Sequence, residues 1–224
     1  MFNVTRSYPA PDSLALQKSY KDHDVIEALR VIFHDKCYLC EQGSISDPEV
    51  EHFLPHNKTA ALKYGWDNLF FSCRRCNGIK SNSHINLLDC TSTVNNVSDE
   101  IVHYAGNAHV GEITVKPFAD NPSVQVLNTV SLLDKCFNLE NTSLRKVSKE
   151  SLIEKILIEL NNFRPLRDVL AQRLSSQEQI AEAKSTLALM CSDSYPFSIF
   201  WRWHLINDVI LKRRYPDLRR ELGF

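Results

Sequence analysis

Between residues 37 and 80 the chain reads CYLC, VEHFLPH, WDNL and CRRCNGIK, and these pieces hold the residue types that could do chemistry. Cys37 and Cys40 form one Cys-x-x-Cys pair, Cys73 and Cys76 another. Each pair presents two thiolates from a tight turn, and two pairs supply the four ligands, at about 2.3 Å, that tetrahedral zinc takes. With every position filled by protein, none is left for water, so this zinc is expected to be structural rather than catalytic. Two disulfides or ordinary buried thiols are the alternative. The intervening residues, 41–72, exceed the roughly 15–20 residues of a simple zinc ribbon, so something is inserted between the knuckles. That insert carries Glu51, His52 and Asn68, and Asn77 follows the second knuckle directly.

As a set, CYLC, EHFLP, WDNL and CNGIK resemble the HNH nuclease family, in the subgroup whose ββα-metal core is braced by a four-cysteine zinc site. That family has an acid-His pair on the first strand, a middle Asn in the loop and a final His or Asn on the helix. The resemblance covers about the first ninety residues. It implies that His52 is the general base, that Glu51 and Asn77 hold a catalytic divalent metal, and that Asn68 fixes the loop around the base. The layout EHFLP, WDNLFFSC, CNGIK, followed by a helical extension, is similar to the nuclease subunits of Septu-type anti-phage systems. Residues 129–146 also look like that family's Leu-Asn, Leu, Arg stretch, whereas His56 stands where many relatives carry Lys or Arg. The resemblance implies a DNA substrate and an ABC-type ATPase partner. A stand-alone HNH restriction or repair nuclease, and a catalytically inactive zinc-braced adaptor, are the rival readings.

These residue types suit phosphodiester hydrolysis. The reaction needs a deprotonated water in line with the leaving oxygen and positive charge on the phosphoryl oxygens. An imidazole with an ordinary pKa of about 6.5 accepts a proton near neutral pH. A carboxylate and an amide carbonyl are hard oxygen ligands, which favours Mg²⁺ or Mn²⁺ over zinc or nickel at the catalytic position. Taken singly, each residue also has a plain role. Glu51-His52 could be a structural pair, and Asn68 or Asn77-Gly78 could merely shape turns. Arg74, Arg75, Lys80, Lys58 and Lys63 are candidate phosphate contacts.

The charge balance frames that expectation. Lys and Arg number 26 against 27 Asp and Glu, and residues 37–90 hold five basic residues against six acids. A nucleic-acid binder usually carries a basic face, so the basic residues must be focused on one surface or a partner must supply the grip. The three cysteines outside the knuckles, Cys90, Cys136 and Cys191, are an odd remainder that argues against an oxidised framework. No signal-like start, no long apolar run and no nucleotide-binding glycine loop is present, so a cytoplasmic protein without its own ATP site is expected.

The expected fold is α+β and mostly helical: a segment 1–36 with one helix, an HNH core 37–90, and a connection plus helical domain 91–224. Residues 1–11 read as irregular. Val25, Ile26, Leu29, Ile32 and Phe33 recur at helical spacing behind a cap at Asp22 or Asp24. Residues 49–54 read as the strand carrying Glu51 and His52, 59–63 as a helical turn, 68–73 as a second strand and 77–83 as a helix. Ile113 and Val115 suggest a hairpin, with His103 and His109 on the surface. From residue 124 the pattern is helical: 147–163 with a Ser151-x-x-Glu154 cap and a break at Pro165, then a helix starting with Ser175-x-x-Glu178. The last stretch places Phe197, Phe200, Trp201, Trp203 and His204 on one helix, as core or as a dock for a partner protein. Lys212, Arg213, Arg214, Arg219 and Arg220 cluster beyond it, as a solvated helix end or as a grip for nucleic acid.

Overall fold

In a computed structural model, residues 1–94, 96–143 and 145–224 are described. Leu144, inside the 129–146 stretch, lies outside them. The fold is mostly helical with two small sheets. Helix α1 (His23–Ile32) buries Val25, Leu29 and Ile32 and ends just before the first cysteine knuckle. Strand β1 (Pro48–His52) follows, then the short helix α2 (Ala60–Lys63), strand β2 (Leu69–Cys73) and helix α3 (Arg74–Lys80). β1 and β2 are antiparallel, with Glu51 opposite Phe70 and His52 opposite Leu69. β2 is buried at every position, which is why it reads as an apolar run broken only by Ser72. Tyr38 of the knuckle donates its N–H to the Phe71 carbonyl at 3.1 Å, tying the first cysteine pair to β2.

Helix α3 begins earlier than its sequence pattern suggests. Cys73 caps it, its sulfur accepting the Cys76 N–H at 3.4 Å, so the second knuckle is itself the helix start. Helix α4 (Val97–Glu100) leads into the hairpin of β3 (Ile101–Tyr104) and β4 (Thr114–Pro117). The helical remainder is α5 (Val124–Asn138), α6 (Glu150–Ala171), α7 (Gln177–Met190), α8 (Ser198–Asn207), α9 (Val209–Arg214) and α10 (Leu218–Leu222).

Several expectations need correction here. Pro165 does not end its helix, because α6 runs through it. The carbonyl deprived of a partner belongs to Asn161, on the exposed side, while Phe163 and Leu170 stay in the core. The cap of α6 is Lys149 without a side-chain bond, not Ser151. The capping box of α7 is one residue later than expected: Ser176 with Gln179, while Ser175 donates to the Val169 carbonyl. His103 is not a surface residue. It is fully buried, edge-on to Phe137 and Phe200, with Nε2 3.1 Å from the Met1 nitrogen. His109 is exposed, as expected.

The aromatic residues of α8 are core: Phe200, Trp201 and Trp203 are buried, and the Trp203 indole donates to the Ser98 carbonyl. The N-terminal stretch, irregular in backbone, is buried at Met1, Phe2 and Val4. Its Arg6 donates to the carbonyls of Trp66 and Leu69, and stacks on the Trp66 and Phe70 rings. One apolar cluster thus draws on residues from all three expected segments. Among the described residues, no helix is long and apolar enough to cross a membrane.

Candidate active site and metal centre

The four knuckle sulfurs converge. Cys37, Cys40, Cys73 and Cys76 are all buried, and their sulfur atoms lie within 4.8 Å of one another. Cys40 Sγ and Cys73 Sγ are 3.8 Å apart, about the edge of a tetrahedron around an ion with 2.3 Å bonds and far beyond a disulfide length. Four convergent thiols with no acid or imidazole among them fit structural zinc. They fasten the turn after α1 to the junction of β2 and α3.

Beside this clamp, β1 splits its chemistry between two faces. Val50 and His52 point one way, Glu49 and Glu51 the other, as strand alternation requires. His52 is half-buried. Its Nε2 lies 3.0 Å from the Lys63 carbonyl. A carbonyl can only accept, so Nε2 carries the proton and the neutral ring keeps its lone pair on Nδ1. No described residue bonds Nδ1. Burial is the main reason the His52 pKa falls below the ordinary imidazole value, with the Lys63 carbonyl opposing and neighbouring charges assisting. The rings of Tyr20 and His56 each stand edge-on at 4.6 Å and restrict its rotation.

Asn68 ends the 3-10 turn Trp66–Asn68 just before β2, buried, and makes three bonds that close the loop. Its Oδ1 accepts the Leu54 N–H at 2.7 Å, and its Nδ2 donates to the carbonyls of Leu54 and Leu62. The loop so closed is the one whose Lys63 carbonyl holds His52. Asn68 therefore touches backbone only and acts through it.

On the other face, β1 meets α3. Lys80 Nζ reaches Glu51 Oε1 at 2.6 Å and the His52 carbonyl at 2.9 Å. Arg74, two turns earlier, stands 3.9 Å from Glu49. Asn77 lies three residues from each, so it shares the helix face turned toward Glu49 and Glu51. Its side-chain amide has no hydrogen-bond partner among the described residues. Burial pushes the Glu51 carboxyl up, against the pull of Lys80.

No family model matches the chain, and no solved structure does. Over 56 residues it is 43% identical to Septu protein PtuB of Bacillus thuringiensis, a stretch making up 24% of this chain and 22% of the relative. Over 75 residues it is 33% identical to Septu protein PtuB of Bacillus mycoides strain KBAB4, covering 27% of this chain and 25% of the relative. The chain is similar to PtuB. It spans about a quarter of the length of these two curated relatives.

Two of the expected phosphate contacts are elsewhere. Lys80 is fully buried in its pair with Glu51, and Arg75 is buried beneath the segment that follows α5. Arg75 donates to the carbonyls of Cys136, Val147 and Leu139, so its charge is spent on backbone. Arg74 and Lys58 are exposed, and Lys63 lies over the Tyr64 ring. In the C-terminal basic cluster, Arg219 is paired with Asp99 and Arg214 with the carbonyls of Ala171 and Gln172.

The sequence reading missed Glu49, Tyr20 and Arg145. Glu49 accepts from Lys21 at 3.1 Å and Arg145 at 3.0 Å. Burial opposes its charge, but those bonds win and hold the carboxyl below the usual range. Its position two residues before Glu51 on a strand was a legible signal. Tyr20 and Arg145 gave none, because only folding brings them to β1.

Proposed function

We propose that this chain is a metal-dependent endonuclease of the HNH type, hydrolysing phosphodiester bonds of DNA. The observation that carries the reading is the orientation of His52. With Nε2–H committed to the Lys63 carbonyl, Nδ1 is the free base, in a ring that burial keeps neutral. In this reading Nδ1 takes the proton of the attacking water. Tyr20 and His56 hold the ring, and Asn68 holds the loop that holds the carbonyl.

Glu51 and Asn77 fit a hard divalent ion. Lys80 engages one carboxylate oxygen, and the Asn77 amide has no partner among the described residues, so the second Glu51 oxygen and the Asn77 oxygen would be the protein's ligands, with water and substrate completing the shell. A bound Mg²⁺ or Mn²⁺ supplies positive charge to the phosphoryl oxygens. The four-cysteine cluster supports a separate, structural zinc.

We further infer that the nuclease acts in anti-phage defence alongside an ABC-type ATPase partner. The two PtuB relatives and the sequence layout support this, as does a chain of net charge −1 with no phosphate-binding glycine loop.

The test is plasmid cleavage by the zinc-loaded chain, alone and with the product of a neighbouring ATPase gene, with Mg²⁺ and with EDTA. His52→Ala should abolish cleavage while zinc content and the unfolding transition stay unchanged. Cleavage surviving in that variant refutes the general-base role.

A further inference from the structure

Helix α3 carries two adjacent arginines with opposite fates, and the difference points to where substrate is gripped. Arg75 faces inward, and its three bonds to the carbonyls of Cys136, Leu139 and Val147 pin the segment after α5 against α3. Its described residues bond to one another. Thr142 N–H donates to the Val147 carbonyl at 3.1 Å, Val147 N–H returns to Thr142 Oγ1 at 2.9 Å, and Asn141 bridges Ser148. The turn it makes delivers Arg145, 96 residues distant in sequence, to Glu49 on β1.

Arg145 and Arg74 thereby line one cleft of about 110 Å³ together with Asn77, Gly78 and Thr142. Both guanidiniums are about half exposed, at 55% and 50%. Arg145 spends one nitrogen on Glu49, and Arg74 reaches Asp47 and Glu49. With Lys21, three cations thus meet two carboxylates at this rim, in a segment whose formal charge is otherwise slightly acidic. Each guanidinium keeps donors for a second acceptor. The cleft is open at Gly78, since a Cβ built there meets nothing within 4 Å.

We propose that this cleft seats a nucleic-acid backbone phosphate beside the scissile one, gripped by Arg74 and Arg145, with Glu49 holding Arg145 and Asp47 holding Arg74. Arg75 is a positioning residue: it contributes by fixing the turn that presents Arg145. The inference rests on the nuclease reading for its substrate class, and it answers how a chain without net positive charge holds DNA. The contact is sequence-independent, because it reads phosphate and not base edges.

The test uses full-length, zinc-loaded protein carrying His52→Ala, so that bound DNA is not cut, and a fluorescein-labelled duplex of about 30 base pairs. Affinity is followed by anisotropy over a salt series. Each phosphate neutralised contributes about 0.9 to the slope of log K against log salt on duplex DNA. Arg145→Gln should make the slope shallower by about that amount, Arg145→Gln with Arg74→Gln by about twice it. Gly78→Leu, which fills the cleft from a helical position with space for it, should weaken binding with the unfolding transition preserved. An unchanged slope in the arginine variants, or a parent chain with no salt-dependent affinity, overturns the proposal. Cleavage by the protein with His52 intact, measured separately with Mg²⁺, distinguishes the two failures. Cutting with an unaltered slope sinks the grip alone, and an altered slope without cutting sinks the nuclease reading alone.

Discussion

Replacing Lys80 by Met tests whether the buried pair under β1 is what holds Glu51 in place. The ammonium is fully buried, the carboxylate is 7% exposed, and they meet at 2.6 Å. Removing one partner of such a pair leaves an uncompensated buried charge, a loss of about 3–5 kcal/mol. The variant can lessen that loss by keeping a proton on Glu51, whose carboxyl burial already pushes upward. A raised folded-state pKa means the folded protein binds the extra proton, so the variant's stability is greatest below the ordinary carboxyl range and falls as pH rises toward the folded value. The deficit relative to the parent should therefore grow with pH over that window, at most by about 1.4 kcal/mol per unit. Urea unfolding of zinc-loaded protein at pH 5.5 and pH 8 measures both quantities. The control is Lys80→Met with Glu51→Leu, which removes both charges and should recover most of the loss, since replacing a whole buried pair by apolar groups is often neutral. If Lys80→Met costs under about 1 kcal/mol, or the double variant is no better than the single one, the pair is not a buried, mutually dependent unit.

Three other outcomes follow from the geometry. Cys73→Ser, or a strong chelator applied to the native protein, should unfold the β1, β2 and α3 region, because structural zinc binding and folding are coupled; loss of far-UV signal together with released zinc measures it. Asn68→Ala should lower cleavage far more than it lowers stability, since it releases the 54–62 loop behind His52 without emptying the core; paired rate and unfolding measurements separate the two. His103 is held at about 3, by burial first and the Met1 ammonium second. Its folded pKa lies below the unfolded value of about 6.5, so the stability it contributes is present above pH 6.5 and is lost as pH falls toward 3. Between pH 6.5 and 5 that amounts to about 2 kcal/mol. His103→Gln should flatten that part of the acid profile in urea titrations.

The knuckle spacing, the acid-His strand and the amphipathic first helix were all legible in the sequence, because each is a local pattern whose period or ligand chemistry has few alternatives. Two Cys-x-x-Cys pairs suit four-thiolate zinc, and a short run rich in apolar residues beside the second pair suits a buried strand. The fate of the charged residues was not legible. Lys80 and Arg75 look like surface cations in CRRCNGIK, yet one is buried against Glu51, 29 residues away, and the other beneath carbonyls as far as 72 residues away. His103 was misjudged for the same reason: polar neighbours in sequence surround it, but Phe137 and Phe200 surround it in space. Whether a charge or an imidazole is solvated depends on which distant backbone and side chains satisfy it, and that is settled only when the chain closes on itself. Sequence determined which groups could do chemistry; tertiary structure decided that Arg145 stands at the cleft and Arg75 holds it there.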